Sequence, residues 1–182
     1  LAASAPYYPA GGIQGLVRVW SGASHGLLHS FVGTFKFEPL EKVAAAGDVD
    51  GDGHADILTG APSAWKGADF GVGLARVRSG ATGAALFSAR GTEEEEKLGF
   101  DLAGAGDVDG DGLDDVLIAA ISWQDHGRVR ALAGPSGDVL SSIEPATGLV
   151  AIGVHVDGGA DLDADGVPDI VLSAQTTDYD GR

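Results

Sequence analysis

Short apolar–polar alternations broken by glycine recur along this chain at a fixed interval. GLVRVWSGASHG begins at Gly15, GLARVRSGATGA at Gly73 and GRVRALAGPSGD at Gly127, so the starts lie 58 and 54 residues apart. Each copy alternates aliphatic and polar residues, passes a Gly-centred turn, and continues into a second apolar run. Those runs are Leu27-Leu28 to Val32, Ala84 to Phe87, and Val139 to Ile143. Period-two alternation on either side of a glycine turn predicts β-hairpins. Between the hairpins lie more strand-like runs, such as Leu102–Ala105 and Val116–Ile121. No apolar stripe of period 3.6 is long enough for a helix. Four short strands per unit of roughly fifty-five residues predict an all-β fold of β-propeller-type blades, about three repeats in all.

An acidic pattern sits between the strand-like runs of each unit. It reads DVDGDGHAD from Asp48 to Asp56, DVDGDGLDD from Asp107 to Asp115, and DLDADGVPD from Asp161 to Asp169, with starts 59 and 54 residues apart. Aspartate holds positions 1, 3, 5 and 9, and glycine holds position 6. Alternate residues of an extended, then turning loop point inward, so oxygens from positions 1, 3 and 5 can converge. Position 7 can add a backbone carbonyl, and position 9 closes the shell. Such an all-oxygen set suits calcium; magnesium keeps several waters and seldom uses an all-protein cage. The predicted ligands are therefore Asp48, Asp50, Asp52, His54 and Asp56; Asp107, Asp109, Asp111, Leu113 and Asp115; and Asp161, Asp163, Asp165, Val167 and Asp169. His54, Leu113 and Val167 would act through their carbonyls. An EF-hand would need an acidic residue at position 12, where Thr59, Ile118 and Leu172 stand inside β-like runs. A helix–loop–helix is excluded, and the loops should join antiparallel strands. One such stretch could be a solvated hairpin turn, but three with all twelve aspartates kept point to a cation. The third loop departs most, with Ala164 and Ala160 where the others have glycine.

Composition narrows the function. A formal charge of −16 opposes nucleic-acid binding, which needs a basic surface. Three divalent ions would bring it to about −10. The absence of cysteine removes disulfides and thiolate sites, while metal can staple a secreted fold instead. The absence of asparagine removes N-linked glycosylation. No run is long and apolar enough for a membrane helix, and no signal peptide is visible. A start at Leu1 without any methionine predicts a processed or partial product.

The residues around the loops resemble the FG-GAP repeats of the integrin α-subunit β-propeller and its bacterial relatives. The likeness is carried by Ala105-Gly106-Asp107-Val108 before a loop and Asp115-Val116-Leu117-Ile118 after it. Gly60-Ala61-Pro62 and Phe70-Gly71 add to it. The resemblance implies calcium in strand-connecting loops, a propeller usually of seven blades, and an extracellular or cell-surface location. The chain departs in reading Ala119-Ala120-Ile121 and Ser173-Ala174-Gln175 where the first repeat has Gly-Ala-Pro. It also keeps aspartate at loop positions 3 and 5, where the family often has asparagine. The phase of the repeats divides the chain into a partial blade 1–34, repeats 35–91 and 92–145, and a partial blade 146–182.

The expected function is non-catalytic: a calcium-stabilised module for adhesion or for binding a protein or glycan ligand. Two alternatives are a subunit of a filament or ring in which copies complement each other's half-blades, and an accessory part of a polysaccharide-active enzyme. No nucleophile-elbow motif unites serine, histidine and aspartate. His25, His29, His54, His126 and His155 share no metal-like spacing and read as isolated surface residues. Glu93-Glu94-Glu95-Glu96 reads as a solvated loop. Arg18, Arg76 and Arg130 fall at one place in each repeat, either packing their stems or forming a row for a polyanion. Trp20, Trp65 and Trp123 are out of register and read as core or edge packing.

Overall fold

In the computed structural model the second strand of each central repeat is buried along its whole length, which explains its unbroken run of small and apolar residues. The structure describes residues 2–5, 13–34, 37–122, 124, 126–145 and 150–176. In chain order these contain β1 (Ala2–Ala5), β2 (Ile13–Gln14), β3 (Leu16–Trp20), β4 (Leu27–Val32), β5 (Phe37–Glu38), β6 (Lys42–Gly47), β7 (Asp56–Ala61), β8 (Leu74–Arg78), β9 (Ala85–Arg90) and β10 (Leu98–Gly106). β11 (Asp115–Ala120), β12 (Arg128–Leu132), β13 (Val139–Ile143), β14 (Val150–Ala160) and β15 (Asp169–Thr176) follow. Two four-stranded antiparallel sheets, β6-β7-β8-β9 and β10-β11-β12-β13, stand between the three-stranded sheet β1-β3-β4 and the pair β14-β15. The short strands β2 and β5 pair in parallel. Each up-and-down sheet is a β-propeller blade, whole or in part. The acidic loops join β6 to β7, β10 to β11 and β14 to β15, so they connect antiparallel strands.

Neighbouring blades stack face to face, first strand on first strand: β6 packs on β10, and β10 on β14. The apolar cores are the layers between blades. Val17, Phe31, Leu40, Ile57 and Leu74 fill one, and Leu58, Val77, Leu98, Leu102, Val116 and Ile118 fill the next. Leu117, Val129, Ile152 and Val156 fill the third. β7 and β11 lie inside these layers and are buried at every residue, whereas the outer strand β13 is mostly exposed. The glycine heading each hairpin has a steric cause. A Cβ on Gly15, Gly73 or Gly127 would strike the backbone of Leu40, Leu98 or Ile152, at or just before the first strand of the following blade.

Two buried ion pairs tie the segment that leads into each four-stranded blade to that blade's third strand, and they correct two sequence expectations. Glu96 is not part of a solvated loop: its side chain is fully buried and pairs with Arg128 at 2.8 Å, with Arg130 at 3.8 Å. Glu93, Glu94 and Glu95 are exposed. Glu38 is the counterpart in the preceding unit, buried and paired with Arg76 at 2.7 Å. Each glutamate also accepts the backbone N–H and hydroxyl of a threonine four residues earlier, Thr34 or Thr92. Arg76 and Arg130 therefore face buried carboxylates rather than forming a polyanion row, and Arg18 is exposed. Trp65 stacks on Phe37 at 4.5 Å and meets Phe70 edge-on at 5.4 Å while staying partly exposed. Trp20 is half-buried, and Trp123 lies outside the described residues.

Candidate metal centres

Each acidic loop is organised by its own carboxylates. In the first, Asp48 Oδ1 accepts the N–H groups of Gly51 and Asp52 at 2.9 and 3.1 Å, and its Oδ2 accepts that of Gly53 at 2.9 Å. Asp50 accepts from Asp52, and Asp52 from His54. Asp56, at the head of β7, accepts from Val49 at 2.9 Å and from Gly80 in the β8–β9 turn at 2.8 Å. The second loop repeats every one of these bonds, with Asp115 reaching Val108 at 2.8 Å and Gly134 at 3.0 Å. The third has fewer. Asp161, Asp163 and Asp165 make their turn bonds, and among the described residues Asp169 accepts from Leu162 alone, at 2.7 Å. Ala164 stands there at φ 64°, the left-handed region that Gly51 and Gly110 occupy in the other loops.

The structure brings positions 1, 3 and 9 together. One oxygen each from Asp48, Asp50 and Asp56 lies within 4.8 Å of the others, as do those of Asp107, Asp109 and Asp115 and of Asp161, Asp163 and Asp169. Oxygens that share one calcium ion at 2.3–2.6 Å are at most about 5 Å apart, so the donor set fits that ion in spacing and in chemistry. Asp52, Asp111 and Asp165 fall outside these three-carboxylate groups and hold the position-7 N–H of His54, Leu113 and Val167. The exposed His54 ring sits 3.1 Å from the Asp52 carboxylate.

The ninth position is electrostatically distinct. Asp56 and Asp115 are 2% and 0% exposed. Burial pushes both carboxyls above the ordinary aspartate range, and the nearby loop aspartates push the same way; the N–H bonds from Gly80 and Val49, or Gly134 and Val108, pull back. A divalent cation beside them would reverse that balance. Sequence reasoning missed Gly80 and Gly134 as donors to these carboxylates, although each repeats at the eighth place of its hairpin motif.

The FG-GAP repeat model matches residues 42–71, from β6 through the first acidic loop to Gly71. The chain belongs to the FG-GAP repeat family. It is 25% identical over 176 residues to integrin alpha-V of Gallus gallus, covering 88% of this chain and 17% of that protein. It is 35% identical over 148 residues to integrin alpha-IIb of Homo sapiens, covering 71% of this chain and 14% of that one. This FG-GAP chain thus spans less than a fifth of the length of either relative. The solved structure of the rhamnogalacturonan lyase YesW superposes with a TM-score of 0.55 at 14% identity, covering 90% of this chain and 34% of that one; the likeness is one of fold.

Proposed function

We propose that this FG-GAP chain is a non-catalytic, calcium-stabilised propeller module of the extracellular space that binds a protein or glycan ligand. The observation that carries the reading is the convergence of three carboxylates in each of three loops at a spacing that suits one calcium ion. Asp48, Asp50 and Asp56 would hold the first ion, Asp107, Asp109 and Asp115 the second, and Asp161, Asp163 and Asp169 the third. Asp52, Asp111 and Asp165 would complete the shells with the carbonyls of His54, Leu113 and Val167. The blades run as a partial one at 1–34, full ones at 35–91 and 92–145, and a partial one at 146–182. Calcium neutralises carboxylates that otherwise repel one another, and millimolar extracellular calcium matches or exceeds the dissociation constants of even weak extracellular sites. Against catalysis stands the placement of the carboxylate groups in strand-connecting turns that their own backbone N–H groups organise.

Sedimentation velocity in calcium and in chelator tests the reading. A discrete small species in calcium supports a binding module. A calcium-dependent polymer would overturn it in favour of copies assembling through the outer sheets. Release of unsaturated products from rhamnogalacturonan would overturn its non-catalytic part.

A further inference from the structure

We propose that Asp114 couples the first and second acidic loops, so that calcium bound in one raises the affinity of the other. The inference rests on the reading of those loops as calcium sites. Asp114 occupies position 8 of the second loop, which no calcium shell requires, and its carboxylate reaches into the neighbouring blade. Its Oδ2 accepts the backbone N–H of Asp48 at 2.7 Å, and its own N–H donates back to the Asp48 carbonyl at 3.1 Å. Two bonds thus clamp the peptide of the first loop's leading aspartate. The approach is close enough that a methyl group on Gly47 would collide with the Asp114 carboxylate. Leu113 adds a second contact, because a Cβ on Gly51 would lie 2.9 Å from its Cδ2.

The consequence follows from where the clamp ends. On one side it holds Asp48, whose two oxygens organise three N–H groups of the first loop. On the other it sits between Leu113 and Asp115, two proposed ligands of the second loop. Ordering either loop around an ion therefore fixes an end of the tether and removes part of the ordering cost from the other loop. A cation on either side also relieves the repulsion that Asp114 adds to an already acidic pair of loops. The third loop carries no such device: Pro168 takes the equivalent place against Gly106 and offers no carboxylate and no N–H. Ions one and two should therefore bind cooperatively, and the third independently.

Calorimetric calcium titration of this chain tests the coupling, comparing the unmodified protein with Asp114→Ala and Asp114→Asn. The unmodified protein should show two cooperative ions and one independent ion. Asp114→Ala should abolish the cooperativity and weaken the two coupled ions about five- to tenfold, leaving the third unchanged. Asp114→Asn, which keeps an acceptor oxygen but not the charge, should fall between and guards against a folding failure of the alanine variant. Isotherms of both variants that superpose on the unmodified one would overturn the coupling while leaving the calcium sites intact. An unmodified protein that binds no calcium would overturn the site reading and the coupling with it.

Discussion

Replacing Asp56 by alanine separates the two jobs that the ninth loop position performs. Asp56 is 2% exposed, and its oxygens accept from Val49 at 2.9 Å and from Gly80 at 2.8 Å. The carboxylate is thus a structural tie between the start of the acidic loop and the β8–β9 turn, before any metal is considered. Alanine leaves two N–H groups without an acceptor, each at about 1–3 kcal/mol. Removing a buried carboxylate returns part of that, since burial disfavours its charged form. In chelator the net loss should be about 2–4 kcal/mol. Asp169 is the internal comparison, because it is half-buried and, among the described residues, accepts one N–H, from Leu162. Asp169→Ala should cost about 1 kcal/mol under the same conditions. Urea unfolding of the three proteins in chelator measures both values, with unchanged m-values showing that the comparison is valid. Equal losses for the two variants would refute the claim that Asp56 holds the fold apart from calcium.

Three further outcomes follow from particular contacts. Glu96→Ala removes the carboxylate 2.8 Å from the buried Arg128 and should cost about 3 kcal/mol, whereas Glu94→Ala, in the same acidic run, should stay within about 0.5 kcal/mol in thermal or urea unfolding. Ala164→Gly relieves a left-handed alanine at φ 64° and should raise stability by about 1 kcal/mol, a higher melting temperature being the readout. In chelator, Asp56 and Asp115 bind protons more tightly folded than unfolded, so their contribution is fully present below the ordinary value of 3.8 and falls as pH rises through their elevated folded values. Asp115→Asn should flatten that slope in pH-dependent unfolding, and calcium should reverse its sign, because protons then compete with the ion.

The blades were legible because their signals are local. Alternation around Gly15, Gly73 and Gly127 marked the hairpins, and the glycine is there because the following blade's backbone crosses at that point. Burial of β7 and β11 on both faces matches their continuous apolar runs. The acidic loops were visible from spacing, and so was the third loop's departure at Ala164. What stayed hidden depends on distant partners. Glu96 looks like its three neighbours in sequence, and its main ion-pair partner, Arg128, lies thirty-two residues on. Asp114 meets Asp48 across sixty-six residues and a blade boundary. Alternation placed Asp52 beside Asp48 and Asp50 but gave no sign that its carboxylate also accepts the His54 N–H within the turn.

Thermal unfolding in saturating calcium and in chelator tests the calcium-stapled propeller most directly. Three sites, each filled at ten times its dissociation constant, contribute about 4 kcal/mol. At 2–4 °C per kcal/mol for a chain of this size, the melting temperature should rise by about 10 °C in calcium. An unchanged melting temperature would contradict the account.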